Sequence, residues 1–300
     1  MLAIVIPYYK KIFFEETLDS LVKQTNKNFK VYIGNDNSPD NPVDLLSRYE
    51  KKLDITYKKF SNNLGKTSLI SQWNRCIAMA NGEEWVTILG DDDYYSPSVV
   101  QRFYDRIEDH NQNDANLIRF SSQLVNDQSQ IVSDIFEHPR FENAQKAFLR
   151  RFYNETRSSL SEYFFRKEVY DKFSFHDFPL GWHSDDMAWL QFSNNKPIES
   201  INESIIYIRC SEKNISGQAD LWQIKNFSSR EFYKKISQNH FHQFERKDQN
   251  AILERYIYLL FHTQIFKHKN LLRLLSIILR YPRKAVFLVT LVNFRKRLKK

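Results

Sequence analysis

The sequence predicts an α/β fold, with a Rossmann-like, mostly parallel central sheet, helices on both faces, and a C-terminal helical extension. Three observations lead there. Continuous apolar runs such as Leu2-Ala3-Ile4-Val5-Ile6 and Trp85-Val86-Thr87-Ile88-Leu89 suit strands buried on both faces. Segments with helical periodicity alternate with such runs through the first part of the chain. Beyond residue 221 the pattern is helical, and from residue 255 onward it holds no Asp or Glu.

Residues 2–6 read as the first strand, closed by Pro7, and residues 15–24 as a helix turning Leu18, Leu21 and Val22 inward. Residues 29–34 form the second strand and end in the polar turn Asn35-Asp36-Asn37-Ser38-Pro39. Asn41-Pro42 supplies an N-cap followed by proline at the first helical position, opening a helix to about residue 51. A third strand covers residues 55–60, a helix 66–79, and a fourth strand 85–89, which runs into Gly90-Asp91-Asp92-Asp93. Ser96-Pro97 repeats the cap-and-proline device and starts a helix to about residue 109. Strand patterns follow over 116–132, a helix over 141–153, a strand over 160–165, a helix start over 184–192, and one or two strands over 198–209.

With 300 residues, 6 glycines and abundant aromatics, the chain suits a folded protein of enzyme size. Its net charge of +8 is unevenly placed. Twelve of the 44 Lys and Arg lie in residues 255–300, leaving 32 against 36 Asp and Glu in residues 1–254. A basic, apolar tail of this kind fits an anionic membrane surface and argues against a nucleic-acid enzyme with a basic cleft. Leu271, Leu275, Ile278 and Leu279 share one helical face ahead of Arg295-Lys296-Arg297-Leu298-Lys299-Lys300, as in an interfacial anchor; a helical subdomain with a solvated basic end is the alternative. Cys76 and Cys210 read as buried thiols in a reducing compartment. The N-terminus lacks the marks of a signal peptide, and no apolar run reaches the roughly 18 residues of a spanning helix. A cytoplasmic protein, at most peripheral on a membrane face, is expected.

In mostly parallel sheets, ligands sit beyond the carboxyl ends of the strands. Tyr8, Asp36, Asn63 and Asp91 to Asp93 all fall at such ends. Three adjacent carboxylates after a buried strand repel one another unless a counter-charge joins them, and a hard divalent cation completed by a diphosphate would serve. A solvated acidic loop ahead of the Ser96-Pro97 helix is the plainer alternative.

Four ordered blocks resemble the family 2 glycosyltransferases and their nucleotide-sugar-binding GT-A fold. They are Val5-Ile6-Pro7-Tyr8-Tyr9, Asn35-Asp36-Asn37-Ser38, Asn63-Leu64-Gly65 with Asn74, Ala80 and Gly82, and the stretch from Leu89 to Pro97. The resemblance implies a catalytic domain over residues 1–217, with a nucleotide-sugar-binding half over 1–110 and an acceptor half over 111–217, then the extension over 218–300. It implies that Pro7 and Tyr8 line the base and ribose pocket, with Asp36 accepting from the base, which favours a UDP-sugar. Asp91 would lie near the ribose, Asp92 would bind metal (Mn2+ or Mg2+), and Asp93 would be a second-shell residue or a second ligand. Asn63, Gly65 and Lys66 would serve the donor, although a turn and an exposed lysine are the plain readings. The sequence departs from the commoner pattern at Gly90, where an Asp often stands, which leaves the roles of Asp91, Asp92 and Asp93 open.

Transfer to a hydroxyl needs a group that takes the acceptor's proton. Gly181-Trp182-His183-Ser184-Asp185-Asp186 resembles the family's acidic pair at a helix start; Asp186 is the preferred base, with Asp185 beside it and His183 as the alternative. These residues also suit an N-cap and first helical turn. Trp182 and His183 are the acceptor-side candidates, and Arg209 resembles a residue that closes over the diphosphate. The resemblance further implies inversion at the donor carbon and a saccharide acceptor, with a lipid-linked one on the inner face of the cytoplasmic membrane matching the tail. The reading extends to bacterial capsule, O-antigen or exopolysaccharide synthesis. The rivals are a sugar-phosphate nucleotidyltransferase, which would ordinarily carry a glycine-rich phosphate loop near Pro7, and a catalytically silent nucleotide-sugar-binding protein.

Overall fold

Apolar runs that alternate with amphipathic segments assemble, in the computed structural model, into one nine-stranded sheet with helices on both sides. The structure describes residues 1–108 and 115–262; the apolar and basic stretches over residues 271–300 lie outside them. Contacts divide the chain into a unit from Met1 to Ala219 and a second from Asp220 onward.

The first unit opens with β1 (Leu2–Tyr8), α1 (Phe14–Val22), β2 (Phe29–Asn35), the single turn α2 (Val43–Leu46), β3 (Ile55–Lys59), α3 (Leu69–Ile77) and β4 (Trp85–Ile88). The expected helix to residue 51 is shorter, because hydrogen-bonded turns replace it after Leu46. β5 (Tyr94–Tyr95), α4 (Val99–Ile107), β6 (Leu117–Val125), β7 (Phe141–Glu142) and α5 (Ala144–Phe152) follow. Next come β8 (Tyr163–Arg166), α6 (Lys167–Phe173), α7 (Ser184–Phe192) and a single long β9 (Ile198–Arg209). The helix expected from residue 141 begins at 144, since Asn143 caps it by accepting the Gln145 N–H, and the preceding pair joins the sheet as β7. Residues 160–162 form a 3-10 turn, so the strand expected from 160 starts at Tyr163.

The sheet order is β3-β2-β1-β4-β8-β6-β9-β5, with β7 on β9. β1 to β4, β6 and β9 run one way, while β8, β5 and β7 run against them. The mostly parallel sheet of the sequence reading is thus found, with antiparallel strands concentrated in its second half. Leu2, Ile4, Ile6, Val31 and Ile33 pack with α1 and α4 residues Phe14, Leu18, Val99, Val100 and Phe103 in one core. The opposite face receives α3, where Gly34 lets the backbone approach the buried Cys76: a Cβ there would stand 2.2 Å from its Sγ. Cys210, expected to be buried, is exposed because it follows the end of β9. In the second unit, α8 (Trp222–Asn239) and α9 (Arg246–His262) pack together, each burying apolar residues such as Phe232, Ile236, Ile252 and Tyr256. No helix among the described residues is long and apolar enough to cross a membrane.

Candidate active site

Parallel strands end at one edge of the sheet, and here those ends are tied by hydrogen bonds. The backbone N–H groups of Tyr9 and Lys10, just past β1, both donate to Asp91 Oδ2 at 2.7 Å. Past β2, the Asp36 N–H donates to the Tyr8 carbonyl at 3.1 Å. Asp36 then gathers the third block, accepting the Leu64 N–H at Oδ1 and the Gly65 N–H at Oδ2, each at 2.8 Å. Glycine is needed at that contact, because a Cβ on residue 65 would lie 2.6 Å from Asp36 Oδ2. Asn63 accepts the Lys66 N–H at 2.8 Å and so shapes the turn, leaving the Lys66 side chain exposed. Pro7 is half-buried in this edge. The Tyr8 ring is fully buried 4.7 Å from that of Phe14, and its hydroxyl donates to the Asp40 carbonyl. Tyr8 therefore shapes this edge from beneath.

Arg75, on α3, joins this group without any local signal in the sequence. Its guanidinium pairs with Asp36, donates to the Asn62 side chain and carbonyl at 2.9 and 2.8 Å, and lies 3.9 Å above the Phe60 ring. Asp36 and Arg75 are thus paired with each other at the strand edge, and Gln72 accepts the Arg75 Nε–H.

The three carboxylates of the acidic turn have different surroundings. Asp93 is buried, and both its oxygens are committed: Oδ1 accepts the Arg209 N–H at 2.9 Å and Oδ2 accepts the Ser161 hydroxyl at 2.6 Å. The same Ser161 oxygen accepts the Gly90 N–H at 3.1 Å, and Thr17 on α1 donates to the Asp93 carbonyl at 2.8 Å. Asp93, expected as a second-shell residue or a second metal ligand, is thus tied into the turn through both oxygens. Asp91 is held by β1, whereas the half-buried Asp92 carboxylate accepts no hydrogen bond among the described residues. Gly90 has a steric reason: a Cβ there would stand 2.7 Å from Asp92 Oδ1 and 3.1 Å from Asp93 Oδ2.

Burial pushes the Asp91 carboxyl up to about 6, opposed by the amides of Lys10 and Tyr9. Burial also raises Asp92 well above the carboxylate range, reinforced by Asp93 and Asp91, and it raises Asp93. A desolvated cluster with one uncommitted carboxylate fits a divalent cation. No group of three His, Cys, Asp or Glu among the described residues forms a cage of its own. That donor set suits Mg2+ or Mn2+, which bind through one or two carboxylates and share the remaining shell with substrate phosphates and water.

Arg209, which the resemblance assigns to the diphosphate, is employed differently in this structure. Its side chain has no exposed surface. Its guanidinium donates to the Asp92 carbonyl at 3.1 Å, the Asn126 carbonyl at 2.6 Å and the Ser129 hydroxyl at 3.1 Å, pairs with Glu16, and lies 4.1 Å over Phe13. It braces the acidic turn from behind. Phe13, Glu16 and Ser129 also line an open groove of about 700 Å3 along α1.

The second acidic pair opens α7. His183 occupies the N-cap in the left-handed region (φ 71°) without a side-chain capping bond. Asp186 is buried, hydrogen-bonds His183 Nδ1 at 2.6 Å and pairs with Arg151 from α5. Burial opposes its charge, but Arg151 and His183 outweigh burial and hold the carboxyl below its usual range. Asp185 is less buried and has no ion pair among the described residues; burial and the neighbouring Asp186 push it up to about 7. Trp182 stands half-buried beside His183, ring centroids 5.9 Å apart. The segment leading to the pair is docked on the start of α3. The Ser68 hydroxyl donates to Asp177 at 2.9 Å, and Gly181 faces Leu69 and Trp73, which would lie 3.3 to 3.5 Å from a Cβ. Asn74 accepts from the Tyr170 hydroxyl at 3.0 Å in the same seam.

Residues 3–173 match the family described as glycosyl transferase family 2. The chain belongs to that family. It is 29% identical over 109 residues to the uncharacterized glycosyltransferase EpsJ of Bacillus subtilis, a stretch covering 36% of this chain and 30% of EpsJ. The match therefore spans under a third of that relative. Among solved structures, TarS 1-349 of S. aureus in complex with UDP-GlcNAc superposes with a TM-score of 0.65 at 19% identity, covering 90% of this chain and 74% of that one. The mannosyltransferase PcManGT of Pyrobaculum calidifontis, in complex with GDP-Man and Mn2+, gives 0.53 at 14% identity over 86% and 69%. These likenesses agree on the GT-A fold.

Proposed function

We propose that this protein transfers a sugar, with inversion, from a UDP-sugar to a hydroxyl of a saccharide acceptor. The observation that carries the proposal is the convergence of Asp36, Arg75, Asp91 and the uncommitted Asp92 at one strand edge, with the segment that leads to a separate acidic pair docked on α3. Asp36 and Arg75 offer an acceptor and a donor side by side, complementary to the N–H and C=O of a uracil imide. The UDP-GlcNAc named in the TarS structure supports a uridine donor.

Asp92, with Asp91 beside it, would hold a divalent cation, which when bound supplies charge stabilisation to the leaving diphosphate. The Mn2+ named with PcManGT supports that reading. Asp93 and Ser161 keep the turn in shape. Asp185 is the proton acceptor: a carboxyl near 7 is a far stronger base than one held low by a guanidinium. The preferred base thus moves from Asp186 to its neighbour, and Asp186 anchors the helix start through Arg151 and His183. Trp182 offers an apolar ring for a sugar face. The basic, apolar tail supports a lipid-linked acceptor at the inner face of the cytoplasmic membrane, in surface-polysaccharide synthesis.

A donor screen with Mn2+ or Mg2+, read as nucleoside diphosphate release with and without a panel of saccharide and lipid-linked acceptors, tests this. Acceptor-stimulated UDP release from a UDP-sugar is expected. Tight UDP binding with no turnover of any UDP-sugar would count against it.

A further inference from the structure

We infer that Glu16 is a positioning residue: acting through Arg209, it holds the acidic turn in the form that takes a divalent cation, an inference that rests on the cation reading above. An acid in the first turn of a helix, as Glu16 is in α1, is ordinarily a complement to the helix dipole. Here its Oε2 accepts the Ser129 hydroxyl at 2.8 Å and pairs with Arg209 Nη2. Nη2 also donates to the Ser129 hydroxyl, while Nε goes to the Asp92 carbonyl and Nη1 to that of Asn126. The Arg209 amide adds the bond to Asp93 Oδ1. One residue thus grips two members of the turn, and Glu16 is the only carboxylate paired with it among the described residues.

Charge gives the arrangement its consequence. Arg209 is enclosed, and a buried guanidinium needs a carboxylate partner. While Glu16 supplies it, Asp91 and Asp92 remain available to a cation from outside the chain. Removing the Glu16 charge leaves Arg209 with the acidic turn as its nearest source of negative charge, and it then competes with the metal for Asp92. Asp127, which also lines the α1 groove, faces Lys213 at 3.6 Å and is not paired with Arg209.

The test is Mn2+ binding to the full chain in the presence of UDP, followed by electron paramagnetic resonance of the free ion, with melting temperatures measured in parallel. Glu16→Gln should weaken Mn2+ binding about tenfold while leaving metal-free UDP binding within about twofold. Glu16→Asp, which keeps the charge, should stay within about threefold of wild type. Ser129→Ala should cost about threefold through the lost hydroxyl, and it decides the matter if Glu16→Gln does not fold. Folded Glu16→Gln that binds Mn2+ like the wild type overturns the inference, as does an unchanged Ser129→Ala in the case where Glu16→Gln is lost. A wild type that binds no Mn2+ with UDP overturns the cation reading itself, and that failure is visible before any variant is made.

Discussion

Asp185 and Asp186, adjacent at the start of α7, are held in opposite protonation regimes: Arg151 and His183 lower Asp186, while Asp185 is pushed up to about 7. Neighbouring carboxylates with separated affinities divide labour between an anchor and a proton acceptor. Asp185→Asn should therefore reduce kcat by about 10²–10⁴-fold with UDP binding unchanged. Asp186→Asn should act on the fold: it removes the carboxylate that Arg151 and His183 share, at a cost of about 2 kcal/mol, below that of a fully buried pair because Arg151 is one-quarter exposed. For a domain of this size that lowers Tm by about 4–8 °C. Equal melting temperatures with a larger kcat loss in Asp186→Asn would reverse the assignment.

The same separation sets a pH dependence. Asp185 must be ionised to take a proton, so kcat should rise through pH 7 and level above it. Stability should move the other way. A carboxyl whose folded affinity for protons exceeds the unfolded one lets the native state bind more protons, so its contribution is greatest below about pH 4 and is lost as pH rises to about 7. Urea unfolding from pH 4 to 8 should show Asp185→Asn gaining stability relative to wild type across that window. A kcat profile flat between pH 6 and 8 would remove Asp185 from the role.

Strands such as β1 and β4 were legible because burial on both faces demands unbroken apolar runs, and the edge where their ends meet follows from parallel topology. The two-residue β5 and β7 carry too little pattern to be seen, and α6 follows β8 with no intervening turn signal. The partners of the acidic residues were hidden for a different reason. Ser161 lies 68 residues from Asp93, Arg75 39 from Asp36 and Arg151 35 from Asp186, so no local spacing links them. Gly90 was legible only as a departure from a family pattern, and its cause is a contact made across the turn.

That contact is itself a prediction. With no left-handed backbone at residue 90, alanine there is a purely steric probe. Gly90→Ala should displace the Asp92 carboxylate and raise the Mn2+ concentration for half-maximal activity about tenfold, with Tm within a few degrees of wild type. Gly65→Ala should instead press on Asp36 and raise KM for the donor, with the Mn2+ requirement unchanged. Identical effects from the two would mean that base pocket and acidic turn are not separate sites.

Arg75 tests the uridine reading directly. Its guanidinium is fixed by Phe60, Asn62 and Asp36, so the donors it presents are preorganised. A cytosine offers an unprotonated ring nitrogen where uracil offers an N–H, and Asp36 cannot accept from it. Isothermal titration should therefore show UDP bound at least tenfold more tightly than CDP or ADP. Arg75→Met keeps the apolar contact with Phe60 but removes the charge, and it should weaken UDP by about 10–100-fold, the range expected for a charge-assisted hydrogen bond. Loss of discrimination should accompany loss of affinity, because the base then loses the donor beside Asp36. Arg75→Lys should recover only part of either, since an ammonium cannot lie flat on Phe60 while bonding both Asn62 and the base. An Arg75→Met variant that retained full UDP affinity would place the base elsewhere along the strand edge.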